Sequence, residues 1–161
     1  MKKIFIIGML LFIFNQPSFS AGTSGDSESS TSNYDKAVKL IKQAKKYEEQ
    51  GKTAKAEKRY LKAQKYLLKS NKKFPNEPDT LNYLGFTTRK LGDFEAGEKF
   101  YLEGLAIKPD HIGINEYLGE LYVVTNRIDL AKERLNILSG CNCEEYQQLK
   151  EIIEGTKKSK Y

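Results

Sequence analysis

The sequence predicts an all-α fold built from a repeated helical unit, and three observations carry that expectation. Beyond Asn33 the apolar residues recur three and four positions apart, the spacing of one face of an α-helix. No segment rich in valine and isoleucine alternates with polar residues as a half-buried strand would. The pair Leu84-Gly85 returns 34 residues later as Leu118-Gly119, and a fixed period of that length takes precedence over any local reading.

Taken in order, the chain opens on Met1-Lys2-Lys3, continues with eleven apolar residues at 4–14, and reaches small residues around Ser18, Ser20 and Ala21. Two positive charges, a short apolar core and a small-residue junction are the parts of a secretory signal peptide, residues 1–20, cleaved near Ser20. Eleven helical residues rise about 16 Å, roughly half of a ~30 Å hydrocarbon core, so a permanent anchor is the weaker reading. The protein is expected in the periplasm or outside the cell. Residues 21–33 form a flexible linker rich in glycine and serine, with nothing large to bury between 22 and 32.

Residues 34–139 hold three repeats, at about 37–77, 78–111 and 112–139. The clearest is the middle one: Leu81, Leu84-Gly85, Thr88, Gly92-Asp93-Phe94, Gly97, Tyr101, Gly104-Leu105 and Pro109. The next carries Leu118-Gly119, Tyr122, the turn Asn126-Arg127-Ile128, Ala131 and Leu135. The first carries Tyr47, Gly51-Lys52, Ala56, Tyr60 and Ala63, with Gln43-Ala44 in place of Leu-Gly. Leu84 and Thr88, like Leu118 and Tyr122, share one helix face, and Gly85 and Gly119 let a partner helix approach. One such hairpin cannot cover its own apolar face, so the hairpins stack. Pro75 falls seven residues late, about two helical turns, which predicts a lengthened helix ending near Lys73. Gly97 and Gly104 each cost about 1 kcal/mol relative to alanine in mid-helix, so their helix should lean on its neighbours.

These motifs resemble the tetratricopeptide-repeat (TPR) pattern over residues 37 to about 139. Leu81 stands for its usual tryptophan, Thr88 for an aromatic, and Gly97 and Gly104 for alanines. The resemblance implies a right-handed TPR-type α-solenoid of three helical hairpins plus a C-terminal capping helix. It also implies a non-catalytic protein–protein interaction scaffold that binds a protein or peptide on the concave face of the first helices. Carried over by position, that face comprises Val38, Ile41, Lys45, Glu48 and Glu49, then Asp79, Asn82, Phe86, Arg89 and Lys90, then Gly113, Glu116, Glu120, Val123 and Val124. The partner-binding groove is expected at Asn82, Phe86, Arg89, Lys90, Glu116, Glu120, Val123 and Val124. Phe86, Val123 and Val124 are apolar where a lone monomer gains nothing by exposing them, which favours a groove. TPR proteins that clamp a C-terminal carboxylate use Lys, Asn, Asn, Lys and Arg. Here Ile41, Lys45, Tyr83, Gly113 and Tyr117 occupy those positions, against that role.

Residues 140–155 predict a seventh, capping helix, followed by a basic tail at 156–161. Tyr146, Leu149, Ile152 and Ile153 line one side, Asn142 with Glu145 makes an approximate capping box, and Glu144 and Glu145 suit the helix N-terminus. Cys141 and Cys143 are the only cysteines. A local disulfide bracing the cap, free structural thiols and a redox or metal role all stay open; an oxidising compartment favours the bridge, in a small ring that should be easy to reduce. Two ligands do not close a zinc site. The run from Leu138 to Tyr146 also resembles the junction in short exported bacterial TPR proteins, where a cysteine pair precedes Glu-Glu-Tyr.

Catalysis has little support. The single histidine, His111, lies in a turn between repeats; no metalloprotease, nucleophile-elbow or phosphate-loop motif is present, and the adjacent glutamate pairs point apart on a helix. No catalytic residue, cofactor or metal is expected. Charge is uneven: residues 34–75 hold 14 lysines and arginines against 4 acids, whereas residues 76–161 hold 11 against 15. The lysines either solvate two helices or face an acidic protein partner or, more weakly, an anionic membrane surface. Nucleic acid is not expected, since export removes it and no aromatic platform interleaves with the charge. A rival reading is a structural protein that self-associates through the lengthened helix, burying Tyr60, Leu67 and Phe74.

Overall fold

A computed structural model describes residues 32–159 of the 161-residue chain. The expected signal peptide, linker residues 21–31 and the last two residues of the basic tail lie outside the described residues. Among the described residues there are seven helices and no strand: α1 (Asn33–Glu49), α2 (Thr53–Lys73), α3 (Pro78–Lys90), α4 (Phe94–Ile107), α5 (Ile112–Val124), α6 (Ile128–Leu138) and α7 (Glu144–Ile153). Helices α1 and α2, α3 and α4, and α5 and α6 pair as hairpins; α3 adjoins both α1 and α5, and α7 closes against α5 and α6. This is an all-α helical-repeat solenoid.

Local chemistry explains most helix ends. Ser32 Oγ accepts the Asp35 amide at 3.0 Å while Asp35 Oδ2 accepts the Ser32 amide at 3.2 Å, a reciprocal box that starts α1 at Asn33. Ser32 and Asn33, read as the end of the linker, therefore belong to the first helix. Helix α2 runs 21 residues, about 32 Å, and ends at Lys73 because Pro75 disfavours a helical Phe74. Asp93 caps α4 by accepting the Ala96 amide at 2.9 Å. The cap of α7 differs from the sequence expectation. Its N-cap is Cys143, not Asn142, and no side chain bonds there, because Asn142 is held at φ +47° between Cys141 and Cys143, which form a disulfide. Glu144 and Glu145 still occupy the first turn, where the helix dipole favours acids.

Two apolar clusters form the core. Ala37, Leu40, Ile41, Ala44, Ala56, Tyr60, Ala63 and Leu67 join the first hairpin to Leu81, Leu84 and Phe86 of α3. Tyr101, Leu105, Ile114, Leu118, Leu121, Tyr122 and Ala131 form the second. Burial of Tyr60 and Leu67 within the hairpin corrects the expected self-association face: of that trio only Phe74, 55% exposed, reaches solvent.

The mid-helix glycines prove to be packing positions. A Cβ on Gly85 would lie 2.5 Å from the Tyr101 ring of α4, and one on Gly119 would lie 2.5 Å from Leu149 of the capping helix. Gly104, which the sequence marks only as a helix cost, is pressed against Ile114 of the next repeat. The same burial that seats Tyr101 leaves its hydroxyl without a hydrogen-bond partner among the described residues. An orphaned buried hydroxyl costs on the order of 1–3 kcal/mol, so Tyr101→Phe should stabilise the protein by about 1 kcal/mol. Urea unfolding monitored by circular dichroism checks this, and a loss of stability would show that the hydroxyl has a partner.

Candidate binding groove

A groove of about 490 Å³ crosses the first-helix side of the stack. Helix α1 contributes Lys45, Glu48 and Glu49, α2 Thr53, α3 Phe86 and Lys90, α5 Glu116, Tyr117 and Glu120, and the capping helix Gln148. These positions follow from helical spacing: Lys45 and Glu49, Phe86 and Lys90, and Glu116 and Glu120 are each four apart, so each first helix presents two successive turns.

The floor is aromatic. Phe86 packs its ring 5.0 Å from that of Tyr117 and 5.8 Å, edge-on, from that of Tyr60. The Lys45 ammonium stands 4.7 Å from the centroid of Phe86 and 3.3 Å from the Tyr117 hydroxyl. Around this floor the charges are paired across helices. Lys90 Nζ meets Glu48 Oε1 at 2.6 Å, and the other Glu48 oxygen accepts from the Tyr60 hydroxyl at 2.8 Å. Arg89, 2% exposed, donates to the Tyr117 carbonyl at 2.7 Å and meets Glu120 Oε2 at 3.4 Å. Those links tie α1 to α3 and α3 to α5.

Glu116 is the buried acid that stays outside this pairing. It is 6% exposed, and no hydrogen bond or ion pair to it is made among the described residues. Burial above all, then the nearby carboxylates of Glu120 and Glu145, push its carboxyl up to about 8, against the partial opposition of Lys45 and Arg89. A free glutamate titrates near 4.3. The folded state therefore binds the Glu116 proton more tightly than the unfolded state. That contribution to stability is complete below about pH 4, declines as pH rises, and is lost above about 8. Glu116→Gln keeps the shape and stays neutral, so it should melt several degrees above the parent at pH 9 and close to it at pH 5. Thermal melts of both proteins across that range decide it.

The structure sorts the expected groove residues into three groups. Phe86, Lys90, Glu116 and Glu120 line the groove. Asn82 and Arg89 are buried beside it and do not line it. Val123 packs against the second core cluster and Val124 is exposed at the end of α5, both outside the groove. Phe86 itself is only 1% exposed, which corrects its reading as an exposed apolar anchor: it is the core residue over which the groove is built. Of the lining residues, Tyr117 was weighed in the sequence only against a carboxylate clamp, and Gln148 gave no signal, since its place depends on how the capping helix docks. His111 is structural. Its Nδ1 accepts the Ile114 amide at 3.1 Å, capping α5, and its Nε2 donates to Asp79 Oδ1 at 3.0 Å.

No protein-family model and no curated protein matches this chain. Solved structures do. The first TPR domain of Spaghetti (RPAP3), bound to the HSP90 peptide SRMEEVD, superposes with a TM-score of 0.54 at 19% identity, over 78% of this chain and 96% of that one. The fold is that of a TPR domain. An NMR structure of the first TPR domain of human RPAP3 agrees, with a TM-score of 0.56 at 20% identity over 78% and 94% of the two chains. Within this TPR fold the groove lies across the first helix of each hairpin, and Gly104 sits where the repeat pattern has alanine.

Proposed function

We propose that this protein is a non-catalytic binding module of the bacterial cell envelope that holds an extended segment of another protein in the groove across α1, α3, α5 and α7. The observation that carries this reading is the groove itself: its volume falls in the range of ligand sites, and its lining combines aromatic faces with charged side chains. A TPR domain of the same fold is known with an HSP90 peptide bound. Export is supported by the charged and apolar pattern of residues 1–20. Both ring nitrogens of the single histidine are engaged in holding α5 and α3, which suits a scaffold better than a base.

The test is site-specific photocrosslinking in bacteria expressing the full chain. A crosslinker at Gln148 or Glu49, on the groove, should give a discrete adduct, whereas one at Lys62 on the outer face of α2 should give none. Adducts only at Lys62 would overturn the reading. N-terminal sequencing of the same material should find a mature chain starting near Ala21, and an intact Met1 would remove the export step. Light scattering should show a monomer, since Tyr60 and Leu67 are already buried.

A further inference from the structure

We propose that the groove contains a subsite for a cationic side chain, a lysine or arginine of the bound segment, whose charge pairs with Glu116. This rests on the groove reading and names what the groove selects. Two observations carry it. Glu116 is more than nine-tenths buried, lines the groove, and makes no hydrogen bond or ion pair among the described residues. The carboxylates around it outnumber the cations. Glu48 and Glu49 face the groove from α1, Glu120 from α5, and Glu145 acts on Glu116 from α7. Against these and Glu116 stand Lys45 from α1 and Arg89 and Lys90 from α3, of which Lys90 is engaged by Glu48 and Arg89 by Glu120. The remaining neighbours, Tyr117 and Gln148, are neutral at ordinary pH. An arriving cation thus finds a surplus of negative charge. The Phe86 face is already covered by the Lys45 ammonium, 4.7 Å from the ring, so the carboxylates and not the aromatic floor hold the arriving charge.

The lysines that make the first repeat basic do not oppose this. Of all the lysines in α1 and α2, only Lys45 lines the groove. Basic character on the outer helix and selection for a cation in the groove therefore coexist in one domain. Binding also couples to protonation. Burial keeps Glu116 largely protonated in the empty groove near neutral pH, and a paired cation favours the carboxylate, so binding releases a proton.

The test uses the full-length processed protein and three capped pentapeptides, acetyl-Gly-Leu-X-Leu-Gly-amide, with X as lysine, norleucine or glutamate. Carboxyl ¹³C shifts of glutamate-labelled protein report both binding and the titration of Glu116. The lysine peptide should bind best, by about tenfold over the norleucine peptide at pH 8.5, and should lower the Glu116 midpoint by about one unit, the equivalent of that ratio. The preference should shrink at pH 6. In Glu116→Gln the lysine and norleucine peptides should bind alike, with a melt confirming that the variant is folded. Equal binding of all three peptides overturns the subsite while leaving the groove reading intact, as does binding of the lysine peptide with no movement of the Glu116 midpoint. If no peptide binds at millimolar concentration while groove crosslinks form, the cationic subsite falls alone. If neither peptides nor crosslinks appear, the groove reading falls with it.

Discussion

Arg89→Met should lower stability by about 3–5 kcal/mol, a drop in Tm on the order of 15 °C. The magnitude comes from what is left behind. Arg89 is 2% exposed and meets Glu120, itself buried, while its second guanidinium nitrogen donates to the Tyr117 carbonyl. Removing the cation takes the ion pair from an acid in the interior, and breaking a buried pair by deleting one member costs far more than a mispacked side chain. Removing both members should therefore recover most of the loss, so Arg89→Met combined with Glu120→Leu should melt within a few degrees of the parent. An exposed pair offers the control. Lys99 and Glu95 pair at 2.9 Å on the surface of α4, and because solvent screens this pair Lys99→Ala should melt with the parent. If the double variant melts as low as the single one, Arg89 acts through packing and not through its charge. The same burial shows why alanine substitutions at Phe86 and Arg89 are poor tests of binding: they would remove the core along with the groove.

Gly85→Val should be nearly as damaging, with a loss on the order of 3 kcal/mol and failure to accumulate in cells. The Cβ alone would stand 2.5 Å from Cε1 of Tyr101, a fully buried ring with no room to turn away. Overpacking forces neighbours off their rotamers or drives helices apart, and here the helices are α3 and α4, the middle hairpin on which both others stack. Calorimetry measures the loss. Shortening the opposing side chain should relieve it, so Gly85→Val with Tyr101→Leu should be more stable than Gly85→Val alone. An unchanged Tm in the single variant would mean that the two helices separate without penalty.

These two positions differ in how far the sequence reveals them. Gly85 was legible, because Leu84-Gly85 recurs as Leu118-Gly119 and a helix places the two residues of each pair on adjoining faces. Gly104 looked like a liability for lack of any local signal that Ile114 of the next repeat would press against it. Arg89 was legible as a first-helix residue, but its depth was not. Periodicity gives the angle of a side chain around its own helix and says nothing of how closely the neighbouring hairpin approaches that side.

Helical class, the 34-residue period, the hairpin turns and the length of α2 can all be read along the chain, since each depends on residues near one another: apolar spacing, Asp93, Pro75, Gly92. The first-helix residues of the groove, Lys45, Glu48, Glu49, Phe86, Lys90, Glu116 and Glu120, were legible from the repeat pattern, but how they assemble was not. Tertiary structure brings Lys45, Phe86, Glu116 and Gln148 together from four helices, buries Phe86 beneath them and leaves Glu116 without a counter-ion among the described residues. Which faces are covered depends on the stacking of successive hairpins and of α7. That stacking arises from contacts between residues dozens of positions apart, such as Arg89 with Glu120 and Gly119 with Leu149.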